Sequence, residues 1–131
     1  LEQQQNAEKM IGSLPYLDFL DSFYRKEDIL KNSSSKSLVP HTLFFVYTVE
    51  QIAPLLRAFN RTAEADRFLK LAQEMKATVV QKCYDPAKKL FSDTADKKFF
   101  SHHANILAVL TDCVPKEEQK TILKKLLADT T

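Results

Sequence analysis

The stretch that most limits what this chain can fold into is Leu43 to Phe59, LFFVYTVEQIAPLLRAF. Its large apolar residues, among them Leu43, Phe44, Phe45, Val46, Tyr47, Val49, Ile52, Leu55 and Leu56, fall on nearly every side of a helical wheel. A helix that is apolar on most faces buries itself among other helices instead of lying on a surface. Pro40-His41-Thr42 opens it, and Pro54 is expected to kink it, because the ring removes one backbone hydrogen bond and clashes one turn back. The chain must therefore supply outer helices to wrap an inner one.

The outer helix follows at once. Asn60 suits a left-handed C-cap and Thr62 suits the N-cap of the next helix, which predicts a tight helical hairpin. From Ala63 to Cys83 the apolar residues Ala65, Phe68, Leu69, Ala72, Met75, Val79, Val80 and Cys83 recur at three- and four-residue steps, while the other face is charged. The same inner-then-outer order recurs downstream. Ser101 is a good N-cap, His102 and His103 fill the first turn, and the run from Ala104 to Leu110 is apolar. Val114-Pro115 then starts another helix, with Glu117 and Glu118 in its first turn and Ile122, Leu123, Leu126 and Leu127 on one face. Between the two hairpins, Asp85 to Asp93 reads as a turn with a short extended excursion. Upstream, residues 2–12 read as a helix with a thin stripe of Ala7, Met10 and Ile11, ended by Gly12-Ser13 and Pro15. Residues 16–24 crowd aromatics and leucines into a short helix or an ordered loop, and residues 32–37 read as a polar loop.

Composition agrees with an all-α chain forming one unit over residues 1–131. There is a single glycine in 131 residues, 44% of residues are hydrophobic, and hairpin-turn signals are scarce. The net charge is +2, and the lysine pairs 88–89, 97–98 and 124–125 are separated by acids and apolar residues, so no nucleic-acid stripe is expected. No apolar run reaches the length of a membrane span. Cys83 and Cys113 are too few for a cysteine zinc site and are read as free thiols; no metal and no cofactor are expected.

Successive inner helices of stacked hairpins run the same way, so the starts at His41 and Ser101 should open on one face. All three histidines, His41, His102 and His103, then lie there. The positive end of a helix dipole disfavours a second positive charge, so neutral imidazoles able to donate and accept are expected, suited to a hydroxyl-rich ligand. The same residues also fit an ordinary helix start with a solvated His102 and a half-buried His103.

Residues 62–128 resemble the catalytic domain of bacterial α-L-rhamnosidases. The resemblance rests on Ala63-Glu64-Ala65-Asp66, Tyr84-Asp85, Leu90-Phe91-Ser92-Asp93, Ser101-His102-His103-Ala104-Asn105 and Val114-Pro115, in that order and spacing. The family typically has Ser-Gln-His-Ala-Asn at the fourth of these. Upstream, Phe19-Leu20-Asp21-Ser22 falls where such enzymes often show Phe-Val-Asp-Trp, so Ser22 replaces an aromatic expected at the sugar site. Lys89 stands where glycine is usual. The resemblance implies antiparallel helical hairpins forming part of an (α/α)6 barrel, a six-hairpin glycosidase fold. It also implies a parent glycosidase that hydrolyses terminal α-L-rhamnosides with inversion. Such a reaction needs a carboxylic acid and a carboxylate roughly 6.5–9.5 Å apart. The family's acid and base motifs are absent from these residues, so no catalytic residue is assigned. Asp21 and His103, then Asn105, His102 and His41, are the expected sugar-binding residues; Asn105 fits equally well as a lock on the helix start, and Asp21 as a helix cap.

Two other readings stand beside this one: a tetratricopeptide-like helical-repeat module that binds protein, and an inactive rhamnosidase relative kept for binding. The two hairpins share a layout but no residue pattern, and the 93–100 connection has no counterpart between them. Carbohydrate and the rest of the chain's own ring are the expected partners. The compartment is set by the substrate: periplasmic or secreted for a plant-glycan hydrolase, cytoplasmic otherwise. Twelve helices of about 15 residues exceed this length more than twofold, which predicts a slice of the ring with inner apolar faces left open. The 131 residues alone should self-associate; light scattering that shows a monodisperse monomer with a cooperative melt would contradict this.

Overall fold

The computed structural model of the protein describes residues 5, 7–12, 34, 35 and 37–129. Helix α1 spans Val39–Ala58, α2 Thr62–Cys83, α3 His102–Leu110 and α4 Lys116–Asp129; between α2 and α3, strands β1 Tyr84–Asp85 and β2 Leu90–Phe91 form an antiparallel hairpin. Helix α1 packs along α2 and, on another side, against α3. It is the shared inner element of two apolar clusters. One gathers Met10, Val39, Leu43, Val79, Phe91, Ala104 and Ile122; the other gathers Ile11, Phe45, Val46, Val49, Ala72 and Met75.

Burial along α1 is uneven, unlike the all-round burial its sequence predicts. Val39 to Leu43 are all buried, but Phe44, Ile52, Leu55 and Phe59 are exposed, Phe59 to 71%. The helix continues through Pro54. Helix α2 buries Ala65, Ala72, Met75, Thr78, Val79 and Cys83, close to the predicted stripe. Burial pushes the Cys83 thiol up to about 12 and keeps it protonated in the core. Cys113, half-buried, is free as well.

Both inner helices end in the same way. After α1 the N–H of Asn60 donates to the carbonyl of Arg57 at 3.0 Å and that of Arg61 to Leu56 at 2.8 Å. After α3 the N–H of Asp112 donates to Val109 at 3.2 Å and that of Cys113 to Ala108 at 2.9 Å. These are paired 5→2 and 6→1 Schellman bonds, with Asn60 (φ 59°) and Asp112 (φ 50°) in the left-handed position that glycine usually takes. Asn60 performs as its sequence predicts. Thr62 does not: Arg61 is the N-cap residue of α2, with no side-chain cap, and Thr62 is the first helical residue.

The expected helix over residues 2–12 is overturned among its described residues. Gln5 bridges Ile11, Gly12 bridges Ser37, and Lys9 sits at φ 58°, which a right-handed helix excludes. Tertiary bonds outcompete the local helix: the Leu38 N–H donates to the Ile11 carbonyl at 3.2 Å, and the Ile11 N–H to Thr42 Oγ1 at 3.0 Å. Met10 and Ile11 are thereby fully buried at the head of α1. Of the 32–37 loop, Ser35 and Ser37 are buried and donate their hydroxyls to the Glu8 carboxylate.

In the β-hairpin, Tyr84 pairs with Phe91 and Asp85 with Leu90, and the Tyr84 and Phe91 rings lie 5.0 Å apart. The Asp85 carboxylate accepts the N–H groups of Ala87 and Lys88 at 2.9 and 3.0 Å, which turns the chain. Those N–H groups hold the Asp85 carboxyl below its usual range, that of Lys88 most strongly. The turn closes at Lys89 with φ 52°. A non-glycine residue pays about 1 kcal/mol there, and glycine returns part of that through a freer unfolded chain. Lys89→Gly is expected to stabilise the fold by about 0.5 kcal/mol, and Lys89→Val to destabilise it by more than about 1 kcal/mol; paired thermal melts decide, and equal melting temperatures would contradict the strain.

Candidate functional site at the paired helix starts

The starts of α1 and α3 meet at one residue, Asp93, whose side chain is fully buried. Its backbone N–H donates to the Phe99 carbonyl and its own carbonyl accepts the Val39 N–H, each at 2.8 Å. Val39 is the first residue of α1, so an otherwise orphaned helix donor is satisfied. The Asp93 carboxylate accepts the Ser101 N–H at 2.7 Å on Oδ2 and the Ser101 hydroxyl at 2.6 Å on Oδ1. Ser101 Oγ in turn accepts the Ala104 N–H at 3.1 Å, the cap bond expected from sequence. A single backbone position thus fixes both helix starts on one face, with a negative charge at the positive end of the α3 dipole.

Asn105 completes the frame. It is fully buried; its Oδ1 accepts the Phe91 N–H at 2.7 Å, and its Nδ2 donates to the carbonyls of Phe91 and Ser101, each at 2.8 Å. The amide acts as an extra peptide group on the edge of β2, and both of its N–H donors are used. Of the two roles open to it from sequence, it takes the lock. Ser92 is also fully buried and donates to the carbonyls of Cys83 and Thr94 at 3.0 and 2.7 Å, joining the end of α2 to the same loop.

The three histidines take different places around this frame. His41, in the first turn of α1, is buried at 7% exposure. His102 reaches across to the end of α4, with Nε2 at 3.3 Å from the Asp129 carboxylate and 38% of its side chain exposed. His103 is half-buried at the start of α3. Asp21, the other expected sugar ligand, lies outside the described residues. Among the described residues no group of histidines, cysteines and carboxylates could hold a metal ion, and no helix is long and apolar enough to cross a membrane.

Sequence reasoning missed Asp93 as the hub and kept it only as a family motif residue. Its local signal, an Asp after Phe-Ser, is that of any turn. An open cleft of about 430 Å³ lined by Gln73, Lys76, Ala77, Val80, Gln81 and Cys113 lies away from the helix starts, against the chain just beyond the end of α3. Lys76 donates there to the Thr111 carbonyl and meets Glu50 at 3.4 Å. The cleft holds none of the histidines.

A family model described as bacterial alpha-L-rhamnosidase 6 hairpin glycosidase domain matches residues 1–131. No curated protein matches the chain. Asn105→Ala is expected to destabilise the domain by about 2–4 kcal/mol, because it strands the Phe91 N–H and carbonyl in the interior. Chemical denaturation measures this, and a loss under about 1 kcal/mol would show that the amide is not the lock.

Proposed function

This chain belongs to the bacterial α-L-rhamnosidase six-hairpin glycosidase family, and on that premise we propose that it lines the sugar pocket of an inverting rhamnosidase while the acid and base that cleave the bond come from outside these residues. The observation that supports the proposal is the joined pair of helix starts at Asp93, with His41 in the first turn of α1 and His102 and His103 in the first turn of α3. An imidazole at such a start can donate to one sugar hydroxyl and accept from another.

His103 is the principal sugar ligand in this reading. His102 is a peripheral contact, shared with Asp129, and His41 supports the pocket from within the core. Asp21 is a second direct ligand, taken from its match to the family motif. Asn105 serves the sugar indirectly by holding the turn that carries both adjacent histidines.

The open faces of the helices agree with a slice of a ring. Phe44, Ile52, Leu55 and Phe59 on α1, and Ile106 and Leu110 on α3, are exposed apolar residues on inner helices. We assign the remaining hairpins of the parent chain as their cover; burying a leucine or phenylalanine of this kind contributes about 1.5–3 kcal/mol.

The test is hydrolysis of an aryl α-L-rhamnoside by the full-length protein. His103→Ala should lower kcat/KM at least tenfold, about 1.4 kcal/mol of lost transition-state binding, with an unchanged melting temperature. A folded full-length protein that is inert on the rhamnoside but captures a peptide would replace this reading with the repeat-scaffold one.

A further inference from the structure

One lysine from each of the pairs 88–89, 97–98 and 124–125 makes a contact at or from the β-hairpin. Lys125 on α4 donates its ammonium to the backbone carbonyl of Lys88, 37 positions away. The Lys88 ammonium lies 4.0 Å from the centre of the Phe100 ring, which fixes it beside the chain entering α3. Lys97 donates to the Tyr84 carbonyl at 2.9 Å, on the first strand of the same hairpin. Lys89 and Lys98 are exposed beside them, and Lys124 is exposed next to Lys125.

The nearby carboxylates are already engaged. Asp85 accepts two backbone N–H groups of its own turn and its charge is felt by Lys88 and Lys97, Asp96 takes the Thr94 hydroxyl and meets Lys98 at 3.6 Å, Glu118 takes the Tyr84 hydroxyl, and Asp129 meets His102. Among the described residues, no carboxylate forms an ion pair with Lys88, Lys89, Lys124 or Lys125. The surface is thus basic in a chain whose net charge is only +2.

The patch also borders the candidate sugar site. Phe100 directly precedes the Ser101 cap, and Lys125 lies one turn before Asp129, the partner of His102. We propose that this patch binds the carboxylates of an acidic oligosaccharide whose terminal rhamnose enters the site at the helix starts, an inference that rests on the sugar-site reading above. Neutral sugar units leave several ammonium groups unmatched, whereas a chain with carboxylate-bearing units pairs with them and is steered to the site by their field. A nucleic acid is disfavoured because the net charge of the chain is only +2.

The test compares the full-length protein with Lys88→Glu/Lys125→Glu and with the milder Lys88→Gln/Lys124→Gln. In native gels, wild type should be retarded by polygalacturonate and not by neutral dextran, with retardation fading as salt is raised through the range where screening shortens to about 8 Å and below. Both variants should lose most of that retardation. Their KM for a neutral aryl α-L-rhamnoside should stay within about twofold, while KM for a rhamnose-capped uronate oligosaccharide rises by about tenfold. Absence of wild-type retardation, equal retardation in folded variants, or stronger retardation by duplex DNA would each overturn the proposal. If the aryl rhamnoside is not turned over and charge-dependent retardation persists, the patch stands and the rhamnosidase reading fails. Should the glutamate variant not fold, the glutamine variant and the wild-type salt series still decide.

Discussion

The bond pair from Ser101 to the buried Asp93 carboxylate is the constraint on which the rest of the arrangement depends. Taking a carboxylate out of water costs several kcal/mol even after relaxation, so it persists only where charge-assisted bonds replace its hydration. Here they come from an N–H and a hydroxyl of one residue, and the favourable end of the α3 dipole adds to them. The backbone of the same aspartate then reaches α1 through the Val39 N–H. Both helix starts are thereby tied to one loop, that of α3 through the Asp93 side chain and that of α1 through its backbone. The histidines inherit their positions from this bond, and so does Phe100, whose ring holds Lys88.

A chain with one glycine still has to turn, and it does so with short polar residues. Asn60 and Asp112 occupy equivalent left-handed positions after the two inner helices, where an Asn or Asp side chain tolerates the conformation best among the alternatives to glycine. Asp112 adds a tie: its carboxylate takes Lys116 at 2.6 Å and Gln119 at 2.7 Å, and these bonds, that of Lys116 foremost, hold its carboxyl below the usual range. The turn is thereby fastened to the start of α4. Lys89 and Lys97 take the same backbone region, one in the β-hairpin turn and one in the loop that Asp93 closes, and the Lys97 ammonium ties its loop to the Tyr84 carbonyl at 2.9 Å. Two of the left-handed residues thus lie in the connection between the two helical hairpins.

The helices were legible because their information is local. The three- and four-residue apolar steps of α2, the Ser101 cap and the Pro115-Lys116-Glu117-Glu118 start each specify a helix without reference to the rest of the chain. What could not be read is what long-range bonds decide. Residues 7–12 have helical propensity, yet Met10 and Ile11 gain more by burial against α1 than one helical turn offers. Asp93 looks like a turn residue, and its role exists only once residues 39 and 101 are adjacent. The lysine pairs looked dispersed for the same reason: their separation in sequence disappears when α4 folds back on the β-hairpin.

The exposed side of α1 explains why its sequence promised more burial than it finds. In the first turn, Val39, Leu43 and the adjacent Met10 and Ile11 close the core completely, because α2, α3, the hairpin and the N-terminal segment all converge there. Toward Phe59 exposure rises, and the tight turn at Asn60 leads straight into α2. Apolar residues spaced eight, three and four apart, at 44, 52, 55 and 59, then lie along one side of the helix in water. A contiguous patch of such residues is unfavourable for an isolated soluble unit. The gradient runs away from the Asp93 end, so the best-covered part of the inner helices is the end that carries the histidines. The histidine-bearing helix starts thus rest on the most closely packed part of the core, and the exposed apolar side lies toward the other end.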